Sequence, residues 1–442
     1  MTSAIEPRLR VVVIGAGIIG TCCALRLQRE GHKVILVDRE EPGMGCSFGN
    51  AGAISPSAVI PMALPGMLPK VPKWLADPEG PLSVRLRYLP KAAPWLARWI
   101  LASRASVATA ASHALHTLNS GTLDGYRELL SAAQYQDIIR PSGHLYVWRQ
   151  QPNGTGDRLA QALRDAYGIR TELLGSEELR QLEPRLSPDL QAGLLFPDNS
   201  QTRNPQRLVQ LIAGNFLDEG GTILKDEVHG FDIGPGGPTH VVTRTTRLPT
   251  DAVVIAAGAF SRSFACELAI DIPLETERGY HIMLSEPSVM PRLPIMFGDY
   301  KFYATPMEHG LRLAGTVEFA GLDAPPRWSR ANVLLSNARK ALPGLEAKGS
   351  TVWMGRRPSI PDSVPVIDKS PRYANVFFAF GHGHLGLSGG PGTSRLVSDM
   401  INNRRPFIDP TPFMMTRFNL FRSFSVGAAR SVTTSISQQI NS

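Results

Sequence analysis

The chain has 442 residues, more than one hydrophobic core usually serves, so we expect two lobes. Hydrophobic residues make up 43% and charged residues 19%, an ordinary globular composition that excludes a disordered or fibrous protein. The formal net charge is +8, but the basic residues form no stripe interleaved with aromatics, which argues against a nucleic-acid partner.

Four cysteines, Cys22, Cys23, Cys46 and Cys266, show neither a disulfide framework nor the spacing of a metal site. We therefore predict no metal and a reducing compartment. The N-terminus lacks the apolar stretch of a signal peptide, and no window approaches about 18 uninterrupted apolar residues. These features predict a cytoplasmic protein.

The first predicted elements form a βαβ unit. A buried strand over 9–14 leads into the glycine turn Gly15 to Gly20, a helix over 18–30 and a second strand over 33–37 that ends at Asp38. The turn matches G-x-G-x-x-G in the context that this motif requires. Its glycines allow a tight turn, close approach to a pyrophosphate and close packing of helix on strand. Asp38 is placed to accept hydrogen bonds from a ribose diol. The unit predicts a dinucleotide site.

The next segments are loops and helices. Residues 43–60 are rich in Gly, Ser and Ala and predict a loop, whereas 61–100 combine eight prolines with Trp74, Trp95, Trp99 and basic residues. Two interpretations of 61–100 stay open: a lid over the active site, or a segment that contacts the inner membrane peripherally. The remaining predictions for this half are a helical stretch over 95–130, a strand over 143–149, and helices over 156–168 and 176–182.

The second half alternates strands and helices. A helix over 204–219 is capped by Asn204, and 273–321 show the apolar–polar alternation of an antiparallel sheet. A glycine-dense loop over 381–392 follows a buried strand and precedes a helix of about 393–402. The tail 419–442 lacks periodicity, and we predict it to be mobile. Further predicted elements are strands over 222–228, 240–246, 252–256 and 376–380, and a helix over 330–341. Residues 350–369 predict a strand, an Arg-Arg-Pro turn and the apolar run VPVI.

NAD and FAD share the first glycine motif, so a second segment must decide between them. Six of the twelve residues in 381–392 are glycine, which suits a backbone that lies against a flat ring. A helix that starts after this loop directs its positive end at the ring, and a reduced flavin carries negative charge there. The alternative for 381–392 is a plain glycine turn.

With these residues in view, the chain resembles the bacterial D-amino acid dehydrogenases, within the D-amino-acid-oxidase and glycine-oxidase superfamily of flavoproteins. The resemblance covers about residues 9–418. It is carried by VVVIGAGIIG (11–20), SFGNAGAISP (47–56), WLADPEGPL (74–82), YLPKAAPWL (88–96), VVIAAGAFS (253–261), GRRPSIPDSVPVI (355–367) and GHGHLG (381–386). It implies an α/β fold, with a Rossmann-like FAD-binding domain and an interleaved antiparallel-sheet substrate domain.

The resemblance also implies the cofactor site, with FAD held non-covalently. The ADP half is assigned to Gly15, Ala16, Gly17, Ile18, Ile19, Gly20, Asp38, Arg39 and Val228, and the pyrophosphate region also to Ala257 and Gly258. The flavin ring is assigned to Ser47, Asn50, Ala51, Gly52, Gly381, Gly383, His384, Leu385 and Gly386. Three features depart from the commonest pattern: His384 replaces a small polar residue, Asp38 replaces a Glu, and the tail is longer.

The chemistry at the reacting end requires a handle for a substrate carboxylate, and a bidentate arginine suits it better than a lysine. Arg357 is the candidate, with Arg356 as its competitor. Tyr280 and Tyr303 are candidates for a hydrogen bond to the substrate, although core packing is the favoured interpretation for each of them alone. His382 and His384 are candidates to shape the amine pocket. A covalent flavin at Cys46 is disfavoured, because lone buried cysteines are usually inert.

The sequence therefore predicts oxidation of a D-amino acid, with D-proline or a hydroxyproline isomer suggested by resemblance, and transfer of electrons to a quinone or another carrier. An oxygen-using glycine or sarcosine oxidase, a non-catalytic flavin subunit and an NAD-dependent dehydrogenase are the alternatives. The predicted FAD-binding domain comprises 1–60, 200–272 and 355–418. The predicted substrate domain comprises 61–199 and 273–354.

Overall fold

The computed structural model describes residues 8–77 and 79–418, so the predicted mobile tail, 419–442, lies outside the described residues. The strands occur both singly between helices and in consecutive runs. In chain order they are β1 (Arg10–Ile14), β2 (Lys33–Asp38), β3 (Ala53–Ile54), β4 (Leu82–Val84), β5 (Ile139–Pro141), β6 (His144–Trp148), β7 (Glu172–Leu174), β8 (Ala192–Phe196), β9 (Ser200–Thr202), β10 (Thr222–Lys225), β11 (Val228–Gly234), β12 (Gly237–Thr243), β13 (Arg247–Pro249), β14 (Ala252–Ile255), β15 (Glu275–Pro287), β16 (Ile295–Phe297), β17 (Phe302–Met307), β18 (Gly310–Phe319), β19 (Ala347–Ser359), β20 (Val366–Lys369) and β21 (Val376–Phe380).

The helices are α1 (Ile18–Arg29), α2 (Val71–Ala76), α3 (Leu89–Ala102), α4 (Ala105–Asn119), α5 (Thr122–Leu129), α6 (Ala132–Ile138), α7 (Thr155–Ala166), α8 (Ser176–Leu182), α9 (Pro205–Asp218), α10 (Ser261–Glu267), α11 (Ser329–Ala341) and α12 (Gly386–Ile401). The predicted helical stretch 95–130 is divided among α3, α4 and α5, and α2, α6 and α10 were not predicted. Asn204 caps α9 as predicted, because its side chain accepts a hydrogen bond from the Arg207 amide.

The first large sheet has the order β10-β2-β1-β14-β21-β20. Neighbouring strands from β10 to β21 are parallel, and β20 joins the edge in the antiparallel direction. Helices α1, α9 and α12 contribute buried residues to the core on one face of this sheet. The near-continuous apolar runs of β1 and β14 fit strands that are covered on both faces. This is the predicted doubly covered, Rossmann-like sheet.

The second large sheet is nine-stranded, and its main path runs β19-β15-β18-β17-β16-β6-β8-β7, with β4 beside β18. It is antiparallel except where β16 pairs with β6 and β18 with β4. The long strands β15, β18 and β19 provide one face that packs with α11. The opposite face turns toward the first sheet and forms the wall of the cavity described below. The predicted antiparallel sheet is therefore present, with two parallel pairings added.

The structure corrects three predicted elements. The predicted Arg-Arg-Pro turn is absent, because β19 continues through Arg356, Arg357 and Pro358 to Ser359 and pairs there with β15. The loop 381–392 is shorter than predicted, because α12 begins at Gly386 and contains Pro391. Its glycines serve helix packing: a Cβ on Gly392 would lie 2.4 Å from the Leu118 carbonyl oxygen. Helix α3 begins at Leu89, before the predicted start at residue 95. Pro90 is tolerated because it lies in the first turn, whereas Pro94 lies inside the helix.

Helices α4, α5 and α6 also differ from the predicted division of the chain. They belong to the predicted substrate segment 61–199, yet Leu118, Tyr126 and Leu129 pack into the same core as α1 and α12. The Tyr126 hydroxyl donates to the Leu387 carbonyl oxygen at 2.6 Å. The segment 105–138 therefore packs with the first sheet rather than with the second, while the predicted domain boundaries stay a prediction.

Candidate functional site

A cavity of about 1480 Å³ extends from the glycine turn after β1 to the inner face of the nine-stranded sheet. Cavities that hold one small ligand usually measure about 300–1,000 Å³, so this one has room for a cofactor and a substrate together. Both glycine loops, the predicted carboxylate-binding Arg357 and the segment 57–74 contribute to its lining.

The turn from Gly15 to Gly20 has the geometry that its glycines require. Gly15 has a φ of +107°, and a Cβ there would lie 2.5 Å from the Ala256 carbonyl oxygen. A Cβ on Gly20 would lie 1.8 Å from the Gly15 carbonyl oxygen, so only glycine permits this contact between α1 and the turn. Gly17 caps the N-terminus of α1, which has no acidic residue in its first turn. The turn therefore offers backbone N–H groups and a positive helix end to an anion.

Asp38 closes the far side of this turn. Its Oδ2 accepts a hydrogen bond from the Ala16 amide at 2.7 Å, and its Oδ1 accepts one from the Glu40 amide at 3.0 Å. The carboxylate lines the cavity, where its remaining lone pairs are available to a diol. Arg39 lies over the Phe260 ring, 4.2 Å from the guanidinium carbon to the ring centroid.

Beyond Asp38, residues from two further segments line the same end of the cavity. Val228 begins β11, and Ala257 and Gly258 follow β14. Asp226 also lines this end and was missed from sequence. Hydrogen bonds from Thr245 and Thr243 hold the pKa of Asp226 well below its usual value. It was missed because a carboxylate just before a strand shows no local sequence pattern that marks it as a cavity-lining residue.

The loop from Ser47 to Gly52 lies between the two sheets. The Ser47 hydroxyl accepts a hydrogen bond from the Ile18 amide at 3.0 Å, which joins this loop to the start of α1. Arg312 reaches from β18 and donates through Nη1 to the carbonyl oxygens of Phe48 and Asn50. Asn50 in turn accepts a hydrogen bond from the Gly52 amide at 2.8 Å. Arg312 is thus a support of this loop that the sequence did not reveal.

The second glycine loop is attached to β19. The Gly383 amide donates to the Pro358 carbonyl oxygen at 2.8 Å, and Gly381 and Gly383 both have positive φ. Helix α12 starts directly after this loop with no acidic residue in its first turn. Residues from His382 to Gly386 line the cavity. The predicted approach of this loop and helix end to a flat ring is therefore sterically available.

Arg357 lies on the inner face of the nine-stranded sheet. Its guanidinium occupies the space above Gly279, where a Cβ would lie 2.2 Å from the Arg357 Cζ atom. Nη1 donates to the Thr316 carbonyl oxygen at 3.1 Å, and burial lowers the pKa of the guanidinium. The other N–H groups remain for a ligand. Arg356 differs, because its Nε donates to the Leu322 carbonyl oxygen at 2.7 Å.

The two predicted tyrosines have different positions. The Tyr280 hydroxyl donates to Glu318 Oε2 at 2.7 Å, inside the core between the nine-stranded sheet and α11. This hydroxyl is thus committed to a buried carboxylate, and the prediction that it binds substrate is not supported. Tyr303 lines the cavity, and its hydroxyl donates to the Tyr146 hydroxyl at 2.8 Å. Tyr146 and Trp148 beside it form an aromatic wall that was not predicted.

The two histidines of the second glycine loop also differ. His382 is buried, and its Nε2 lies 2.8 Å from the Thr393 hydroxyl oxygen on α12, so its ring supports the loop rather than the amine pocket. His384 is exposed to the cavity. Surrounding protein, together with the Arg357 charge, lowers the pKa of His384 to about 4. Its imidazole is therefore neutral at physiological pH.

Cys46 lies beside the two arginines. Its thiol donates to the Arg356 carbonyl oxygen at 2.8 Å, and burial raises the pKa of this thiol to about 11. A thiol with this pKa stays protonated near neutral pH and is a poor nucleophile. The environment of Cys46 thus fits a bound cofactor that is not attached to sulfur.

The segment 61–100 lines the cavity on one side and exposes apolar side chains on the other. Its inner side lines the cavity through Leu64, Met67, Trp74 and Trp95. Its outer side exposes large apolar side chains, namely Met62, Leu68, Leu75, Leu86 and Leu89. Within residues 8–77 and 79–418, no helix combines the length and apolar character needed to cross a bilayer.

The fold and the site define a dinucleotide-binding α/β protein with a second sheet that closes the far end of the cofactor cavity. A family model described as FAD dependent oxidoreductase matches residues 10–400. The chain belongs to this family and is an FAD-dependent oxidoreductase enzyme.

Two curated relatives illustrate the family. The chain is 38% identical over 416 residues to a protein named D-amino-acid oxidase from Bradyrhizobium diazoefficiens, covering 92% of this chain and 98% of the relative. It is 31% identical over 415 residues to a protein named D-amino acid dehydrogenase from Dechloromonas aromatica, covering 90% and 98%. The resemblance found in the sequence is thus confirmed.

Solved structures confirm the fold. L-proline dehydrogenase from P. horikoshii aligns with a TM-score of 0.72 at 18% identity, over 93% of this chain and 98% of that one. Glycine oxidase from Bacillus cereus aligns with a TM-score of 0.65 at 19% identity, over 90% and 96%.

Proposed function

We propose that this enzyme oxidises a D-amino acid to the corresponding imino acid, with FAD held non-covalently in the cavity. The observation that carries the proposal is the position of Arg357, whose guanidinium lies in the cavity wall with most of its N–H groups free for a carboxylate. The names of the two curated relatives support the D-amino acid, and D-proline or a hydroxyproline isomer is the substrate that we would test first.

The residues of the cavity suit this cofactor. The turn from Gly15 to Gly20 and the start of α1 would hold the pyrophosphate, and Asp38 would hold the ribose. The Ser47–Gly52 loop and the loop from Gly381 to Gly386 would contact the flavin ring. When bound, FAD supplies the two-electron oxidation, and the chain supplies the binding and orientation of the substrate.

We assign a separate role to each group of residues at the substrate end of the cavity. Arg357 binds the carboxylate and so fixes the α-carbon, because two parallel hydrogen bonds set both distance and direction. The neutral ring of His384 lies in the same part of the cavity without adding a second positive charge. Tyr303 and Tyr146 line the cavity and would provide an aromatic wall for the side chain of the substrate.

Bleaching of bound flavin under anaerobic conditions tests this proposal. The purified holoenzyme would be mixed with D- and L-amino acids, glycine, sarcosine and cyclic imino acids of both hands. We expect D-amino acids to bleach the flavin faster than their L-enantiomers. The proposal fails if no amino or imino acid bleaches it, or if the L-enantiomers are uniformly faster.

For the electron acceptor we propose a quinone or a similar carrier that is reached at a membrane surface. The exposed side chains of 61–102 support this idea, because Leu75, Leu86 and Leu101 are 48%, 84% and 47% exposed and the same segment carries the exposed Lys73 and Arg87. Flotation with anionic and neutral vesicles tests it, and the control is Leu86→Glu. Absence of the protein from the anionic vesicle fraction would count against membrane contact.

Oxygen is the second candidate acceptor. The relative named D-amino-acid oxidase, at 38% identity, favours it. Parallel assays of peroxide formation in air and of quinone or dye reduction under nitrogen distinguish the two. An oxidase releases peroxide at the rate of substrate consumption, whereas a dehydrogenase turns over only when the carrier is added.

A further inference from the structure

Glu277 is a carboxylate in the cavity wall to which neither the sequence nor the proposed chemistry assigns a role. It lies on β15, lines the cavity and is only 7% exposed. An ionised carboxylate in such a position is costly unless a partner compensates its charge. The partners of Glu277 therefore indicate what the cavity is built to bind.

Within residues 8–77 and 79–418, the hydrogen bond to the Glu277 carboxylate comes from Ser359, whose hydroxyl donates to Oε1 at 2.7 Å. The Ser359 carbonyl oxygen in turn accepts a hydrogen bond from the Trp95 indole at 3.2 Å. The carboxylate is thus fixed through Oε1 to Ser359 on β19, which is itself held by Trp95 on α3. Oε2 remains open to a ligand in the cavity.

Glu277 and Arg357 are directly opposite each other in the antiparallel pair β15–β19. Side chains at such positions share one face and start about 4.5–5.5 Å apart at Cβ. Arg357 nevertheless leans over Gly279 and donates to Thr316 instead of forming an ion pair with Glu277. A negative and a positive group thus stand side by side on one wall of the cavity, each with free hydrogen-bonding capacity.

We propose that Glu277 binds the α-ammonium group of the substrate while Arg357 binds its carboxylate, and that Glu277 takes up the ammonium proton. The inference rests on the proposed function, because an amino acid carries both groups on one carbon and so matches two neighbouring charges of opposite sign. In this step one N–H bond breaks, one O–H bond forms on Glu277, and the nitrogen keeps the electron pair. The neutral amine is then the species that FAD oxidises.

The surroundings of Glu277 suit a proton acceptor. Burial raises its pKa, and the neighbouring Glu275 raises it further, whereas the Ser359 hydrogen bond and the Arg357 charge lower it. The residues opposite on β18 and α3 are Phe319 and Trp95, which carry no charge. A general base is most effective when its pKa lies near the working pH, and burial moves this carboxyl in that direction.

Glu277→Gln is the test, and Glu275→Gln is its matched control. Glu275 lies two residues earlier on β15 and is also buried, but its carboxylate accepts the Tyr88 hydroxyl at 2.9 Å. For Glu277→Gln we expect kcat/KM at pH 7 to fall about 100-fold, with recovery as the pH rises and solution supplies the neutral amine. Glu275→Gln should stay within about threefold of the wild-type enzyme.

A binding measurement separates the proposed role from a structural one. Perturbation of the flavin spectrum would report the affinity for the carboxylic acid that has the substrate skeleton but lacks the amine. Glu277→Gln should bind this acid as tightly as the wild-type enzyme or tighter, because a nearby negative charge is gone. An equal loss of amino acid and amine-free acid, or a kcat/KM deficit that does not change with pH, would overturn the proposal.

The wild-type enzyme gives an independent test if Glu277→Gln does not retain FAD. Its affinity for the amine-free acid should fall as the pH rises and Glu277 ionises, more steeply than its affinity for the amino acid. The same pH dependence for both ligands would overturn the inference. A wild-type enzyme that no amino acid reduces would instead refute the proposed function.

Discussion

Replacement of Arg357 with alanine is the most direct test of the substrate end of the site. Of the five N–H groups of an arginine, one is used on the Thr316 carbonyl oxygen, so up to four remain for a ligand in this buried wall. Loss of one partner of a desolvated charge pair costs about 2–5 kcal/mol. Since about 1.4 kcal/mol is a factor of ten, kcat/KM should fall roughly 30- to 5,000-fold.

The assay is steady-state turnover with the amino acid that bleaches the flavin fastest, together with the absorbance of bound flavin after gel filtration. Arg357→Ala should keep its flavin, because no predicted cofactor contact is removed. Arg356→Ala is the matched comparison, since the neighbouring guanidinium is held by the Leu322 carbonyl oxygen and lies over the Phe260 ring. If Arg357→Ala stays within threefold of the wild-type enzyme, or if Arg356→Ala is the more damaged variant, the assignment of Arg357 is wrong.

Three further predictions concern the cofactor and the fold. Gly20→Ala should purify without bound FAD, measured by its absorbance, because the new Cβ would lie 1.8 Å from the Gly15 carbonyl oxygen and displace the turn. Acid precipitation of the wild-type enzyme should release all of its flavin, and native Cys46→Ser should still bind flavin. The reason is that burial raises the pKa of this thiol to about 11, so it does not attack the flavin. Burial lowers the pKa of His144 to about 4, so the unfolded chain takes up the proton first as the pH falls below about 6.5. About 3 kcal/mol of folding free energy should therefore be lost between pH 6.5 and pH 4, seen as a fall in melting temperature that is smaller in His144→Gln.

Each of these has its own control. Gly214→Ala, on α9, meets nothing within 4 Å and should bind FAD normally, so equal flavin loss in both glycine variants would refute the steric argument. Cys266 is exposed, so flavin that stays with the precipitate of wild type and Cys266→Ser but not of Cys46→Ser would show a bond to Cys46. A melting temperature with the same pH dependence in wild type and His144→Gln would show that other groups cause the loss.

The position of the glycine turn and of Asp38 in the fold was predictable because the sequence signals are local. The turn from Gly15 to Gly20 follows directly from β1, and Asp38 directly from β2, so residues near in sequence are also near in space. The start of α12 was missed for the opposite reason. Its glycines resemble a loop in sequence, but they allow α12 to pack against α1 and α4, which are distant in the chain.

The substrate half depends on sheet register, which one sequence does not reveal. Glu277 occurs in the strand sequence ETERGYH, where alternate residues face opposite sides, and only the pairing of β15 with β19 shows that Glu277 faces the cavity beside Arg357. The same alternation places Tyr280 on the opposite face, toward α11. His382 was misassigned because its ring direction depends on Thr393, about two helical turns into α12.

The inner face of the nine-stranded sheet also constrains how this enzyme can change its specificity. Arg357 lies over Gly279, and Trp148 lies over Gly298, where a Cβ would be 1.8 Å from the indole nitrogen. At both positions, glycine leaves the space that the larger side chain occupies. A Cβ at Gly298 would meet the indole ring, whereas a Cβ at Gly279 would meet the end of the flexible Arg357 side chain and displace its guanidinium. Substitution of either glycine should therefore move a large side chain of the cavity wall, and its effect should not be additive with substitution of that partner.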